Sequence, residues 1–210
     1  MRTILVTGFG PFPGAPYNPT AALVTRLARL RRPNTRIVGH VFATEYAAVD
    51  RDLPRLIALH QPDALLMFGL HGRARTLRIE TLARNALGRH RDAGGRYAKA
   101  HAIVPGATHA KMFTPAARLV RAARRTGAAA APSRDAGSYL CNYLCWRTAV
   151  AARQGPQRRP RFAAFVHVPA VARKALRRGA RRLRDASLER AATAMLAELN
   201  GCLGLAATHT

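Results

Sequence analysis

The sequence predicts an α/β protein, a three-layer α/β/α arrangement with a mostly parallel, twisted central sheet. Three observations carry this. Up to Gly69 the chain reads strand, helix, strand, helix, strand, the order of a parallel sheet with helices on both sides. Two of its strands are short, unbroken apolar runs closed by glycine, Ile4-Leu5-Val6 ahead of Gly8 and Ala64 to Phe68 ahead of Gly69. The intervening segments place apolar residues at helical spacing.

In order, Arg2 to Thr7 is the first strand. The turn Gly8-Phe9-Gly10-Pro11-Phe12-Pro13-Gly14 comes close to a dinucleotide fingerprint. Pro13 stands at the sixth position, however, and Pro11 removes a backbone donor. Two phenylalanines in such a loop suit a small apolar pocket, or simply pack the loop onto the core. Asn18 caps a helix whose first position is Pro19 and whose face is Ala22, Leu23, Leu27 and Leu30. Arg36 to Phe42 is the second strand. A helical segment from about Thr44 is interrupted or restarted around Pro54 and ends by Gln61-Pro62. Ala64 to Phe68 is the third strand.

Ligands of such sheets bind at the carboxyl ends of strands, where the 8–18 loop and the 69–80 segment both lie. Leu77-Arg78-Ile79-Glu80 alternates apolar and polar, as an edge strand would. Glu80 has no evident partner there, so it is either a site residue or a solvated edge carboxylate. Gly88 to His109 reads as a long loop or a pair of short strands, its length suiting a lid or an interface. Pro115 to Thr126 is an amphipathic helix stopped by Gly127, and Ala128 to Ala131 a short strand.

The stretch Asp135-Ala136-Gly137-Ser138-Tyr139-Leu140-Cys141-Asn142 opens the next helix, which runs to about Arg153. Cys141 falls in its first turn. There the unpaired N–H groups favour a thiolate and can hold the oxyanion of an attacked carbonyl. Cys145, a turn further on, is read as core. A basic loop over 154–160 leads to the strand Phe162 to Val166, and His167-Val168-Pro169 leaves its end. After the arginine-rich stretch 173–184, the last helix starts at Asp185-Ala186-Ser187 and ends at Asn200-Gly201.

A cysteine nucleophile needs an imidazole to take its proton and a third group to orient that ring. Cys141, His167 and Glu80 are the candidates at the carboxyl edge of the sheet. The alternative on pattern alone is a core-packed cysteine and a hydrogen-bonded strand-end histidine.

Composition narrows the classes. The 210 residues, 49% hydrophobic, suit one domain spanning 1–210 with a real core. No apolar run approaches the ~18 residues of a membrane span, and the N-terminus lacks a signal-peptide apolar region, so a cytoplasmic location and no membrane partner are expected. Three cysteines make no disulfide framework, and no Cys/His pairs stand at metal-finger spacing. No metal and no cofactor is expected. The formal net charge of +25 is almost wholly arginine. It reads as a spread, solvated basic surface rather than a nucleic-acid site, since the few aromatics do not interleave with it.

Four segments resemble pyroglutamyl peptidase I, also called pyrrolidone carboxyl peptidase. They are Val6 to Phe12 with Asn18-Pro19, Gly69 to Asn85, Asp135 to Asn142, and Phe165 to Pro169, in that family's order and spacing. The resemblance implies a cysteine exopeptidase that removes N-terminal pyroglutamate from peptides through a thioester, with no cofactor or metal. It implies Cys141 as nucleophile, His167 as general base and then acid, and Glu80 as orienter. Phe9 and Phe12 would be pocket walls, Asn18 would stand near the pocket, and a dimer or tetramer is plausible. The chain departs from the family pattern at Gly72-Arg73-Ala74, where Gly-Gly-Arg is usual, and at Leu70. The arginine usual about ten residues after the glutamate falls among Arg89, His90 and Arg91. Two alternatives stay open: a weak or inactive relative, and a basic protein that binds nucleic acid or another polyanion.

Overall fold

The computed structural model describes residues 1–154, 160–172 and 183–207. Its strands are β1 (Arg2–Phe9), β2 (Thr35–Phe42), β3 (Ala64–Leu70), β4 (Leu77–Glu80), β5 (Leu82–Ala83), β6 (Ala110–Lys111), β7 (Ala130–Ser133) and β8 (Phe162–Val168). Its helices are α1 (Pro19–Ala28), α2 (Tyr46–His60), α3 (Ala116–Arg125), α4 (Leu140–Gln154) and α5 (Asp185–Ala207).

Six strands form one sheet in the order β2-β1-β3-β8-β4-β7, and β5 pairs with β6 apart from it. Every pairing in the large sheet is parallel except that of β4 with β8. The period-2 alternation of the strands divides the core in two. Ile4, Val6, Leu66, Phe68, Ala164 and Val166 face α1, α3 and α5. Leu5, Leu65, Met67, Ala163 and Phe165 face α2, α4 and the β5–β6 pair. This is the three-layer α/β/α sandwich expected. The sheet reverses its winding between β1 and β3, which puts the loops after both strands at a topological switch point.

Local chemistry accounts for the helix ends. The Asn18 side chain accepts from the Thr20 N–H, and Pro19 takes the first position of α1. Gly127 ends α3 with a φ of 83°, a conformation open to glycine at little cost. Helix α2 runs unbroken through Pro54, contrary to the interruption expected there. Pro54 lies on the exposed face, where the carbonyl it frees can meet water.

Two further expectations change. Strand β4 is interior, between β8 and β7, not an edge. Of the two forms expected for 88–109, the structure has the long loop, and β6 begins just after it. Helix α5 continues past Gly201 to Ala207, because Cys202 and Leu203 extend the buried row begun by Leu199. Most of the basic loop (155–159) and most of the arginine-rich stretch (173–182) lie outside the described residues. Among the described residues no helix is long and apolar enough to cross a membrane.

Candidate active site

Three neighbouring strands carry the site on the face that meets α4. In register, Gly69 of β3 sits beside His167 of β8, and Arg78 of β4 sits on the other side of His167. Strand alternation puts Phe165 and His167 on one face, with Arg78 and Glu80 beside them. Because β4 runs antiparallel to β8, Glu80 pairs with Phe165. It therefore reaches His167 across the sheet face, not from the carboxyl rim.

His167 is 3% exposed and Glu80 fully buried. The His167 Nδ1–H donates to Glu80 Oε1 at 2.8 Å. An ionised carboxylate only accepts, so this contact sets the ring's proton on Nδ1. Arg78 Nε stands 3.5 Å from the same oxygen, while Oε2 has no hydrogen-bond partner among the described residues. The ring of His167 is held edge-on by Phe165 at 5.0 Å and by His71 at 5.3 Å. The other ring nitrogen, Nε2, is left for Cys141, the neighbour that does most to raise the pKa of His167.

Burial alone pulls the His167 imidazole toward its neutral form. The charge and hydrogen bond of Cys141, joined by those of Glu80, outweigh it and raise the pKa from 6.5 to about 9. His71 is moved the other way, lowered by burial and by the nearby charges of His167 and Arg78.

Cys141 is the second residue of α4 and is half-buried. Its approach follows from the sequence on both sides. Gly137 enters the turn with a φ of 81°, and its N–H donates to Asp135 Oδ1 at 3.0 Å. Beneath the sulfur lies Gly69, where a Cβ would stand 2.7 Å from Cys141 Sγ and 2.6 Å from the Phe165 ring. Asn142, fully buried, ties the helix start to the chain after β5. It accepts from the Arg84 N–H and donates to the Arg84 and Ala86 carbonyls. Cys145 is fully buried, and burial pushes its thiol well up, which leaves Cys141 as the accessible thiol of this helix.

Beside Cys141 lies an aromatic group. Phe12 is partly exposed, with its ring 6.3 Å from that of Tyr139. Tyr139 in turn meets Tyr46 at 6.0 Å and His90 at 6.0 Å. Phe9 is only 2% exposed and packs on Phe42 at 5.8 Å. Of the two phenylalanines of this loop, Phe9 therefore packs into the core and Phe12 stands at the surface. Asn18 is buried, and besides capping α1 it donates through Nδ2 to the Gly10 carbonyl at 3.0 Å. Thr44 Oγ1 donates to the same carbonyl at 2.9 Å. Asn18 therefore shapes the loop from behind. No cluster of three or more metal-ligating side chains occurs among the described residues.

A buried carboxylate–imidazole pair and a helix-start cysteine are groups that a thiol hydrolase can use. The family model for pyroglutamyl peptidase matches residues 2–200. The chain belongs to the pyroglutamyl peptidase family. It is similar to a pyrrolidone-carboxylate peptidase of Ralstonia nicotianae, 33% identical over 172 residues, which are 80% of this chain and 79% of that one. A pyrrolidone-carboxylate peptidase of Pyrococcus furiosus is 29% identical over 170 residues, 80% of this chain and 81% of its own. Among solved structures, Bacillus amyloliquefaciens pyroglutamyl peptidase I aligns with a TM-score of 0.80 at 26% identity, covering 94% and 98% of the two chains. A mutant pyrrolidone carboxyl peptidase of Pyrococcus furiosus shares the fold, with a TM-score of 0.85 over 96% and 99% of the chains at 24% identity. As a member of this family the protein is a peptidase, and hence a hydrolase.

The family departure at Gly72-Arg73-Ala74 is a surface turn, closed by the Ala74 N–H donating to the His71 carbonyl at 2.9 Å. Arg73 is exposed on it. Sequence reasoning missed several participants: Gly69, His71, Arg78 and Tyr139. Arg78 was findable, since it lies two residues before Glu80 and strand alternation puts both on one face. Gly69, His71 and Tyr139 carry no local signal, because their partners come from distant parts of the chain.

Proposed function

We propose that the protein is a thiol-dependent exopeptidase that hydrolyses the N-terminal pyroglutamyl residue of peptides, with Cys141, His167 and Glu80 as its triad. One observation supports this above others. A buried imidazole is hydrogen-bonded to Glu80 through Nδ1, and the neighbouring Cys141 raises its pKa, in a chain of this family.

His167 takes the Cys141 proton, and the resulting sulfur anion attacks the pyroglutamyl carbonyl. The backbone N–H groups of the first turn of α4 hold the oxyanion. His167, now an imidazolium steadied by Glu80, protonates the departing amine and leaves a thioester. Water, deprotonated by His167, then cleaves the thioester to free pyroglutamate and restore the thiol. The substrate's first residue is a neutral lactam without a free amine. The uncharged Phe12 face beside Tyr139 suits it, with Phe9 backing the loop and Asn18 fixing it from behind.

The substrate partner is accordingly a peptide blocked by pyroglutamate. We assign the whole of 1–210 to one such domain, working in the cytoplasm and without cofactor or metal, with self-association into a dimer or tetramer to be read by light scattering. The test of the activity is release of a chromogenic amine from its pyroglutamyl amide. Wild type turns over and Cys141→Ala does not; thiol-independent turnover, or none, sinks the proposal. Enhanced turnover by Arg73→Gly would favour instead a relative weakened at that turn.

A further inference from the structure

The segment that follows β5 encloses a cavity of about 580 Å³ whose lining includes Leu87, Gly88, Arg89, Tyr97, Lys99 and His101. Among the described residues no acidic side chain lines it. Arg89 and Lys99 are exposed, and neither has an ion pair or hydrogen bond from its side chain among the described residues. The nearby carboxylates are engaged elsewhere. Glu45 pairs with Arg96 at 3.7 Å, and Asp92 accepts from the backbone N–H groups of Tyr46 and Arg96. The positive charge of the cavity is therefore uncompensated.

This cavity adjoins the nucleophile. The Gly88 N–H donates to the Ser138 carbonyl at 2.6 Å, and a Cβ at Gly88 would stand 2.6 Å from Ser138 Oγ. Two residues on, the His90 ring meets Tyr139 edge-on. Ser138 and Tyr139 lead directly into Cys141, and Tyr139 also meets Phe12. The cavity wall, the cysteine turn and the Phe12 face thus form one continuous surface. A substrate with its ring at Phe12 and its carbonyl at Cys141 can send its leaving peptide along that surface.

We propose that this cavity is a leaving-side subsite that favours pyroglutamyl peptides carrying a carboxylate within the residues after the scissile bond. The inference rests on the peptidase reading above. The Arg89 guanidinium matches a carboxylate as a two-pronged donor, and the Lys99 ammonium adds a point charge. The carboxylate comes either from an Asp or Glu side chain or from the C-terminus of a short peptide. Pairs this exposed are individually modest, so the preference is on the order of fivefold in kcat/KM.

The experiment measures kcat/KM for pGlu-Ala-Asp-amide against pGlu-Ala-Asn-amide, and for pGlu-Ala-Ala with a free against an amidated C-terminus. Wild type is compared with an Arg89→Gln/Lys99→Gln double variant, and the acid-to-neutral ratio is read, so that any general loss of activity cancels. Expected is a ratio of about five in wild type for at least one pair, collapsing toward one in the variant. The first pair reports a side-chain carboxylate and the second a terminal one. A wild-type ratio near one overturns the subsite. So does a ratio that survives the double substitution, since the preference then belongs to the field of the whole basic molecule. Either result leaves the activity standing if the neutral chromogenic amide is still cleaved; failure to cleave that amide defeats the activity and the subsite together.

Discussion

At the scale of single residues, the proposed function rests on how His167 is held. Its pKa is near 9 in the fold and 6.5 as an ordinary histidine, so the imidazolium is favoured in the folded state. The stabilisation this contributes is fully present below pH 6.5 and is lost as pH rises through about 9. Urea midpoints measured across that window should fall for wild type. They should fall less for Cys141→Ala, because the charge of Cys141 does most to raise the pKa. A midpoint flat in wild type would contradict the assignment. Glu80→Gln keeps the shape of the side chain but removes the negative charge that faces Nδ1. It should lower kcat/KM by on the order of 10²-fold or more and move the alkaline limb of the rate profile to lower pH. An unchanged limb would mean that Glu80 does not act on the ring's charge. Cys141 and His167 were legible from sequence as a helix-start thiol and a strand-end imidazole. Glu80 was legible only as a choice between site residue and solvated edge, and full burial removes the solvated edge.

Elements determine where these groups meet. Gly69→Ala would put a methyl 2.7 Å from Cys141 Sγ and 2.6 Å from the Phe165 ring. Helix α4 or β8 would have to shift, with a cost of about 1–3 kcal/mol and a larger loss of rate, since the sulfur would move from His167. Thermal melting and the rate of thiol alkylation read the two effects separately; a variant with native melting and native rate would show the sulfur has room. Asn142→Ala removes three hydrogen bonds from a fully buried side chain and strands the Arg84 and Ala86 carbonyls. A loss of about 1–3 kcal/mol is expected in chemical denaturation, with cleavage of the chain after β5 by proteases accelerated. The edge reading of β4 failed for an instructive reason. Alternating apolar and polar residues normally signal one solvated face, but here Glu80 is fully buried and Arg78 half-buried beside it. Likewise α2 passes Pro54 because that position faces water, which no propensity scale reveals.

For the whole molecule, charge is the dominant feature. The formal net charge of +25 acts on stability through self-repulsion and on function only through charged partners. Raising salt from low to near-molar should raise the melting temperature as that repulsion is screened. It should change kcat/KM for the neutral chromogenic amide by less than about twofold. A steep salt dependence with that neutral substrate would indicate that the basic surface takes part in turnover. Saturable binding of duplex DNA with a steep salt slope, together with no peptidase activity, would favour the polyanion-binding alternative.

The sequence by itself determined the layered α/β class, the order of β1, α1, β2, α2 and β3, and the thiol and imidazole at element ends. These are properties of local periodicity, glycine and proline punctuation, and helix-start chemistry. Tertiary structure alone decided that β4 is interior and antiparallel to β8, that Glu80 reaches His167 across the sheet face, that Gly69 makes room for the sulfur, and that Phe9 is core while Phe12 is surface. Each of those depends on which distant strands become neighbours. Side-chain direction within a strand can be read from its period of two, but what lies opposite is set by strand order, and strand order is the outcome of packing two apolar faces at once.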